Sequence, residues 1–110
     1  MSREALGNFE LMIMLAIARL GEAAYGVPIA GLIEESTGRE VLVGSVYAAL
    51  ERLEAKGFVV SETGDPTPER GGRAKRYFKI TDIGLRQLRD TRRALMRLWA
   101  RIPALGEGTR

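Results

Sequence analysis

Arg70, Arg73, Lys75, Arg76 and Lys79 crowd around the adjacent glycines Gly71 and Gly72. Two glycines in a row free the backbone to turn at positive φ. A tip built that way can lie close to another surface, and its cations select an anionic one. The residues that follow, Tyr77, Phe78 and Ile80, have the aromatic and β-branched character of a strand anchored in a core. A basic loop on a rigid hairpin is what a nucleic-acid-binding wing requires. A solvated hairpin turn has the same composition, so the rest of the chain must decide between them. Other chemistry is scarce. There is no cysteine and no histidine, which removes disulfides, thiolate chemistry, the commonest general base and the commonest metal ligand. The carboxylates fall mostly at helix faces and caps. No glycine-rich loop follows a strand and opens a helix in the phosphate-cradling pattern. The expectation is therefore a protein that is not an enzyme and has no metal or cofactor.

The net charge of +3 conceals a division. Residues 1–69 hold five Lys/Arg against eleven Asp/Glu, and residues 70–101 hold eleven against two. Such asymmetry points to an anionic partner for part of the chain, or to acidic and basic parts that face each other. A length of 110 residues fits one domain with an appended helix. A chain this small gains from sharing a core with a second copy. The apolar run Leu11–Ala18 is too short to span a membrane, so the chain reads as soluble and cytoplasmic.

The elements that must carry the basic hairpin follow from spacing. Asn8 suits an N-cap, and a helix runs from there to Leu20, stopped by Gly21. It is apolar nearly all the way round, so more than one of its sides needs cover. A second helix opens after Tyr25-Gly26 with Pro28 in its first turn and Ile29, Leu32 and Ile33 on one face, ending near Thr37-Gly38. A third runs from Val46 to Lys56 with Ser45 as N-cap and Val46, Ala49, Leu50 and Leu53 turned inward. Three helices joined by tight turns match a helix-turn-helix, whose last helix enters the major groove by its N-terminal end. Ser45, Tyr47 and Ala48 are then placed to face base edges, while Tyr47 is equally suited to packing. A strand at Phe58–Glu62, a loop at Thr63–Lys75 and a strand at Arg76–Ile80 complete a winged helix. A last helix, capped by Thr81, extends to Ile102 and is ended by Pro103. Leu88, Leu95 and Ile102 recur along it every seven residues, widened by Leu85, Leu98 and Trp99, and its own domain offers nothing to cover them. Packing against a second copy is the natural use. The fold class is mainly α (α+β): a winged helix-turn-helix over residues 1–80 with a two-stranded wing, and a C-terminal dimerisation helix and tail over 81–110.

Tyr25-Gly26, the run Gly44-Ser45-Val46-Tyr47-Ala48-Ala49-Leu50-Glu51-Arg52-Leu53-Glu54-Ala55-Lys56-Gly57-Phe58-Val59, Gly71-Gly72-Arg73 and Tyr77-Phe78-Lys79-Ile80-Thr81-Asp82-Ile83-Gly84 together resemble the PadR family of winged-helix transcriptional regulators, in the short form with one C-terminal helix. The likeness covers roughly residues 6 to 100. It implies a homodimer that represses by occupying a palindromic operator in double-stranded DNA. The DNA-contacting set under this resemblance is Tyr25, Ser45, Tyr47, Ala48, Gly71, Gly72, Arg73, Lys75 and Arg76. The dimer interface would comprise Phe9, Met12, Ile13, Leu88, Leu95, Leu98, Trp99 and Ile102. Some short members bind flat aromatic compounds between the subunits through a tryptophan on the last helix. Trp99 is the sole tryptophan, and its alternative role is interface packing. The segment Asp65-Pro66-Thr67-Pro68 departs from the shorter wings common in the family. The competing interpretation is a winged-helix protein-interaction module without DNA, favoured by Glu34, Glu35 and Glu51 near the would-be DNA face.

Overall fold

The computed structural model describes residues 6–64 and 75–106. Gly71, Gly72 and Arg73, on which part of the expected DNA contact rests, lie outside the described residues, as does Arg70. Four α-helices and one two-stranded antiparallel sheet follow in the order α1 (Asn8–Leu20), α2 (Gly26–Thr37), α3 (Val43–Ala55), β1 (Val59–Thr63), β2 (Arg76–Ile80) and α4 (Asp82–Trp99). Short 3₁₀ turns sit at Gly21–Ala23 and Pro103–Leu105. This is the mainly helical winged-helix architecture expected from the sequence.

The core is built by the inward sides of the first three helices and the sheet. Ile13, Met14, Ile29, Val46, Leu50, Leu53, Val59 and Phe78 are its largest fully enclosed side chains. The 3.6-residue period of α3 places Val46, Ala49, Leu50 and Leu53 on one side, and all four are buried. In the hairpin, Val59 pairs with Ile80 and Thr63 with Arg76. The outer edge of β2 is tied down as well, because the Phe78 N–H donates to the Ala24 carbonyl at 2.9 Å. The sheet is thereby fastened to the turn after α1, and Phe78 is drawn into the core.

The junction into α4 is equally specific. The Thr81 hydroxyl donates to the Gly57 carbonyl at 2.7 Å and accepts the Gly84 N–H at 3.0 Å. The Thr81 N–H donates to the Phe58 carbonyl at 3.0 Å. A Cβ on Gly84 would overlap that carbonyl oxygen, so only glycine lets α4 start so close to β1.

Several boundaries differ from expectation. Asn8 is the first helical residue of α1, and Gly7 precedes it as the cap. Here Glu10 supplies the missing side-chain partner by accepting the Gly7 N–H at 3.1 Å. Ser45 is not a cap: α3 begins at Val43, and the Leu42 carbonyl accepts N–H bonds from both Ser45 and Val46. The strand β1 starts at Val59 and reaches Thr63. The helix α4 ends at Trp99, three residues short of Ile102. Ala100 is extended and Arg101 has φ of 64°. The ring of Pro103 clashes with a helical carbonyl four residues before it and disfavours helical geometry at Ile102. Ile102 therefore leaves the seven-residue stripe.

Candidate functional site

The side of α3 opposite its core residues presents Gly44, Ser45, Ala48 and Glu51 to solvent. Tyr47 flanks that side and is half-buried. Its ring lies over Gly26, where a Cβ would come within 2.5 Å of the ring. It also approaches Phe78, with centroids 6.4 Å apart. Gly26 thus lets α3 close against the start of α2, and Tyr47 is in part a packing residue. Of the expected DNA-facing residues on α3, Ser45 and Ala48 are freely exposed. Ser45 also lines, with Phe9, Met12, Ile33 and Leu42, a shallow hollow of about 360 Å³.

Towards the loop end of the hairpin, Tyr25 and Tyr77 meet edge to face, with centroids 5.4 Å apart. The Lys75 ammonium stands 4.8 Å above the Tyr25 ring. Such an arrangement holds a cation over an aromatic face while leaving its outer side hydrated. Tyr25 and Lys75, distant in sequence, are therefore neighbours beside the first turn of α2. Arg76 is employed otherwise. Its Nη2 donates to Glu54 Oε1 at 2.8 Å and its Nε to the Ser61 hydroxyl at 3.1 Å. Ser61 in turn donates to Glu54 Oε2 at 2.9 Å. The expectation that Arg76 reaches an external anion meets a guanidinium whose charge is already matched by a carboxylate on α3.

Sequence reasoning missed the role of Glu10. It is the one buried charged side chain among the described residues. Arg52 Nε donates to its Oε2 at 3.0 Å and Lys56 Nζ to its Oε1 at 2.8 Å. Burial by itself would raise the Glu10 carboxyl. The hydrogen bonds from Lys56, from the Gly7 backbone and from Arg52 outweigh it and hold the group below its ordinary value of 4.5. This carboxylate joins α1 to α3 and fixes how α3 sits. A signal did exist: Glu10 is a lone carboxylate in an apolar run, and Arg52 and Lys56 are spaced to share one helix face.

The second candidate surface is an apolar cleft of about 560 Å³ between α1 and α4. Leu11 and Leu15 line it from α1, and Leu85, Leu88, Leu95, Met96 and Trp99 from α4, with Arg89 and Arg92 at its margin. Leu88, Leu95 and Trp99 are brought together as their spacing implied. Leu98 points elsewhere and is 72 % exposed. On α1 the expected residues lie on other sides. Ile13 is wholly enclosed in the core of its own chain, so it has no surface to offer a partner. Phe9 and Met12 line the hollow towards α2 instead. Because α1 is apolar all round, its sequence did not single out Leu11 and Leu15.

Among the described residues no group of acidic side chains is arranged to hold a metal ion, and no helix is long and apolar enough to cross a membrane.

The family model described as "Transcriptional regulator PadR-like family" matches residues 14–90. Among solved structures, a PadR family transcriptional regulator from Eggerthella lenta is 28 % identical, with 88 % of this chain and 82 % of that one aligned and a TM-score of 0.67. A PadR-like transcriptional regulator from Bacillus cereus, 23 % identical, shares the fold over 91 % of this chain and 92 % of its own, with a TM-score of 0.72. No curated protein matches the chain.

Proposed function

The chain belongs to the PadR-like family of transcriptional regulators, and from that premise we propose that it is a cytoplasmic homodimer that binds a palindromic operator in double-stranded DNA and represses transcription. The observation that carries this reading is the presentation of α3. Its core residues are buried, while Gly44, Ser45 and Ala48 face solvent on its N-terminal half, as an element entering a major groove requires. Lys75, poised over Tyr25 at the loop end of the hairpin, supplies a cation for the adjacent phosphate backbone. By their likeness to the family's motif, Gly71, Gly72 and Arg73 are proposed to join that contact. Tyr47 both packs and offers its phenol to the groove. Arg76 stays in the proposed contact set with its charge shared, since Glu54 pairs with it while its side chain stays 43 % exposed.

Residues 1–80 then form the DNA-binding unit, and residues 81–110 supply the dimer contact. The cleft of about 560 Å³ between α1 and α4 is lined mainly by apolar side chains, and a second copy's α4 is its proposed occupant. Trp99 sits at the end of that cleft, where a planar aromatic effector bound between subunits would touch it. Such a ligand would release the operator by changing how the two copies are set.

The deciding experiment is selection of DNA fragments by the purified chain, followed by mobility shifts across a salt series. Enrichment of a two-fold symmetric site, with half-sites about one helical turn apart or a multiple of it, is expected. Affinity should fall steeply as salt rises, because each neutralised phosphate releases counterion. Failure to enrich any site would favour a protein partner for α3, a reading to which the exposed Glu34, Glu35 and Glu51 lend themselves.

A further inference from the structure

The N-terminal half of α3 lacks the side chains that make paired hydrogen bonds to guanine or adenine. From Leu42 to Leu50 there is no Arg, Lys, Asn, Gln, Asp or Glu. The next residues are Glu51, whose charge opposes DNA phosphates, and Arg52, whose Nε is held by Glu10. What the N-terminal half of α3 does expose is apolar or small: Val43 at 37 %, Gly44, Ser45 and Ala48. Gly44 is informative because its own chain does not require it. A Cβ there would meet nothing within 4 Å, and its φ is not positive. Glycine inside a helix costs stability relative to alanine. Its bareness suits a surface that approaches from outside, lying between the methyl-bearing Val43 and Ala48.

Each base pair displays its own pattern in the major groove, and thymine alone adds a C5 methyl group, which apolar side chains recognise by contact. Resting on the reading that α3 enters the major groove, we propose that Val43 and Ala48 select thymines through their C5 methyl groups, with Gly44 letting the helix come close enough to do so. Sequence discrimination then comes from methyl contacts, with Ser45 and Tyr47 adding single hydrogen bonds. Lys75 contributes affinity and no discrimination, since phosphates carry no sequence information.

The test uses the full chain and the duplex it selects from a random-sequence library. That duplex is resynthesised with deoxyuridine in place of each thymine in turn, which deletes the methyl and keeps every hydrogen-bonding group. Affinity is expected to fall about three- to fivefold per contacted methyl, and about tenfold or more when both half-sites are changed. In Ala48→Gly, deoxyuridine at one of those positions should no longer matter. Ala48→Ser, which preserves helix propensity better, should blunt the same position, with circular dichroism confirming the fold. If the selected duplex binds and every deoxyuridine substitution leaves affinity within about twofold, the methyl readout is overturned and the DNA-binding reading stands. Sensitivity that persists unchanged in both Ala48 variants also overturns the part assigned to Ala48. If no duplex is enriched, it is the reading of α3 as a DNA-entering helix that fails, and the inference falls with it.

Discussion

The helices α1 and α4 are both rich in large apolar residues, yet they end in different environments. In α1, Ile13, Met14, Ala16 and Ile17 are covered by α2, α3 and the sheet, and even the charged Glu10 is enclosed. In α4, Gly84 is the one buried residue, and Leu95, Met96, Leu98 and Trp99 remain 40 %, 58 %, 72 % and 57 % exposed. The first helix is held by its own fold. The last is fastened at its base, through Thr81 and Gly84, and leaves an apolar stripe along the rest. Most helical stability in proteins comes from packing an amphipathic face, and α4 packs little of its face against its own chain. One helix is therefore covered by its own fold, and the other leaves an apolar stripe open.

The strongest way to break this contrast is to truncate a core side chain and a stripe side chain in parallel. Phe78→Ala should lower unfolding free energy by about 3–5 kcal/mol, read by urea denaturation. Leu98→Ala should change it by no more than about 0.5 kcal/mol at concentrations where the chain is monomeric. In sedimentation, Leu98→Asp and Leu95→Asp should shift the population towards monomer. Equal losses from Phe78 and Leu98 would erase the distinction. A smaller effect is expected at the joint between the two regions. Gly84→Ala forces a methyl against the Phe58 carbonyl and should cost about 1–3 kcal/mol. Its hydrogen-exchange signature should appear first at the start of α4.

Next comes the buried carboxylate of α1. Glu10→Gln should lower stability by about 2 kcal/mol at neutral pH, since it replaces the buried carboxylate that Lys56 and Arg52 share with an uncharged amide. The folded carboxyl lies below its ordinary value of 4.5, so its contribution is fully present above that value. It is lost as pH falls through the depressed folded value. Acid unfolding of Glu10→Gln should accordingly begin from a lower plateau and slope less in that window. An unchanged slope would show that the pairs do not govern the acid limb. The smallest effect on stability is expected for Lys75→Ala, a half-buried site whose ammonium rests over Tyr25. Its readout is the salt dependence of DNA binding, which should lose about 0.9 in slope for each phosphate contact removed.

Much of this molecule was legible in the residues. Period-3.6 spacing identified the core side of α3 without error, because Val46, Ala49, Leu50 and Leu53 alternate with polar or small residues. Alternation and turn glycines located β2, and Thr81 announced the start of α4. Legibility failed where a segment lacked contrast. The helix α1 has apolar residues on every side, so Phe9, Met12 and Ile13 looked as suitable for a partner as Leu11 and Leu15, which line the cleft. Arg76 looked like every other cation of the basic stretch until Glu54 and Ser61 were found beside it.

The sequence by itself determined the family, the order of elements, the inward side of α3 and the absence of thiol and imidazole chemistry. Each of these depends on local periodicity, caps or composition, which act between residues close in the chain. The tertiary structure alone decided which cations are free and which are matched, that Glu10 joins α1 to α3, that Lys75 rests on Tyr25, and which side of α1 meets α4. These are meetings of groups 42 or more residues apart for Glu10 with Arg52 and Lys56, and 22 apart for Glu54 with Arg76. A charge or an apolar side is only free or satisfied relative to what folding brings to it, and spacing along the chain does not contain that information.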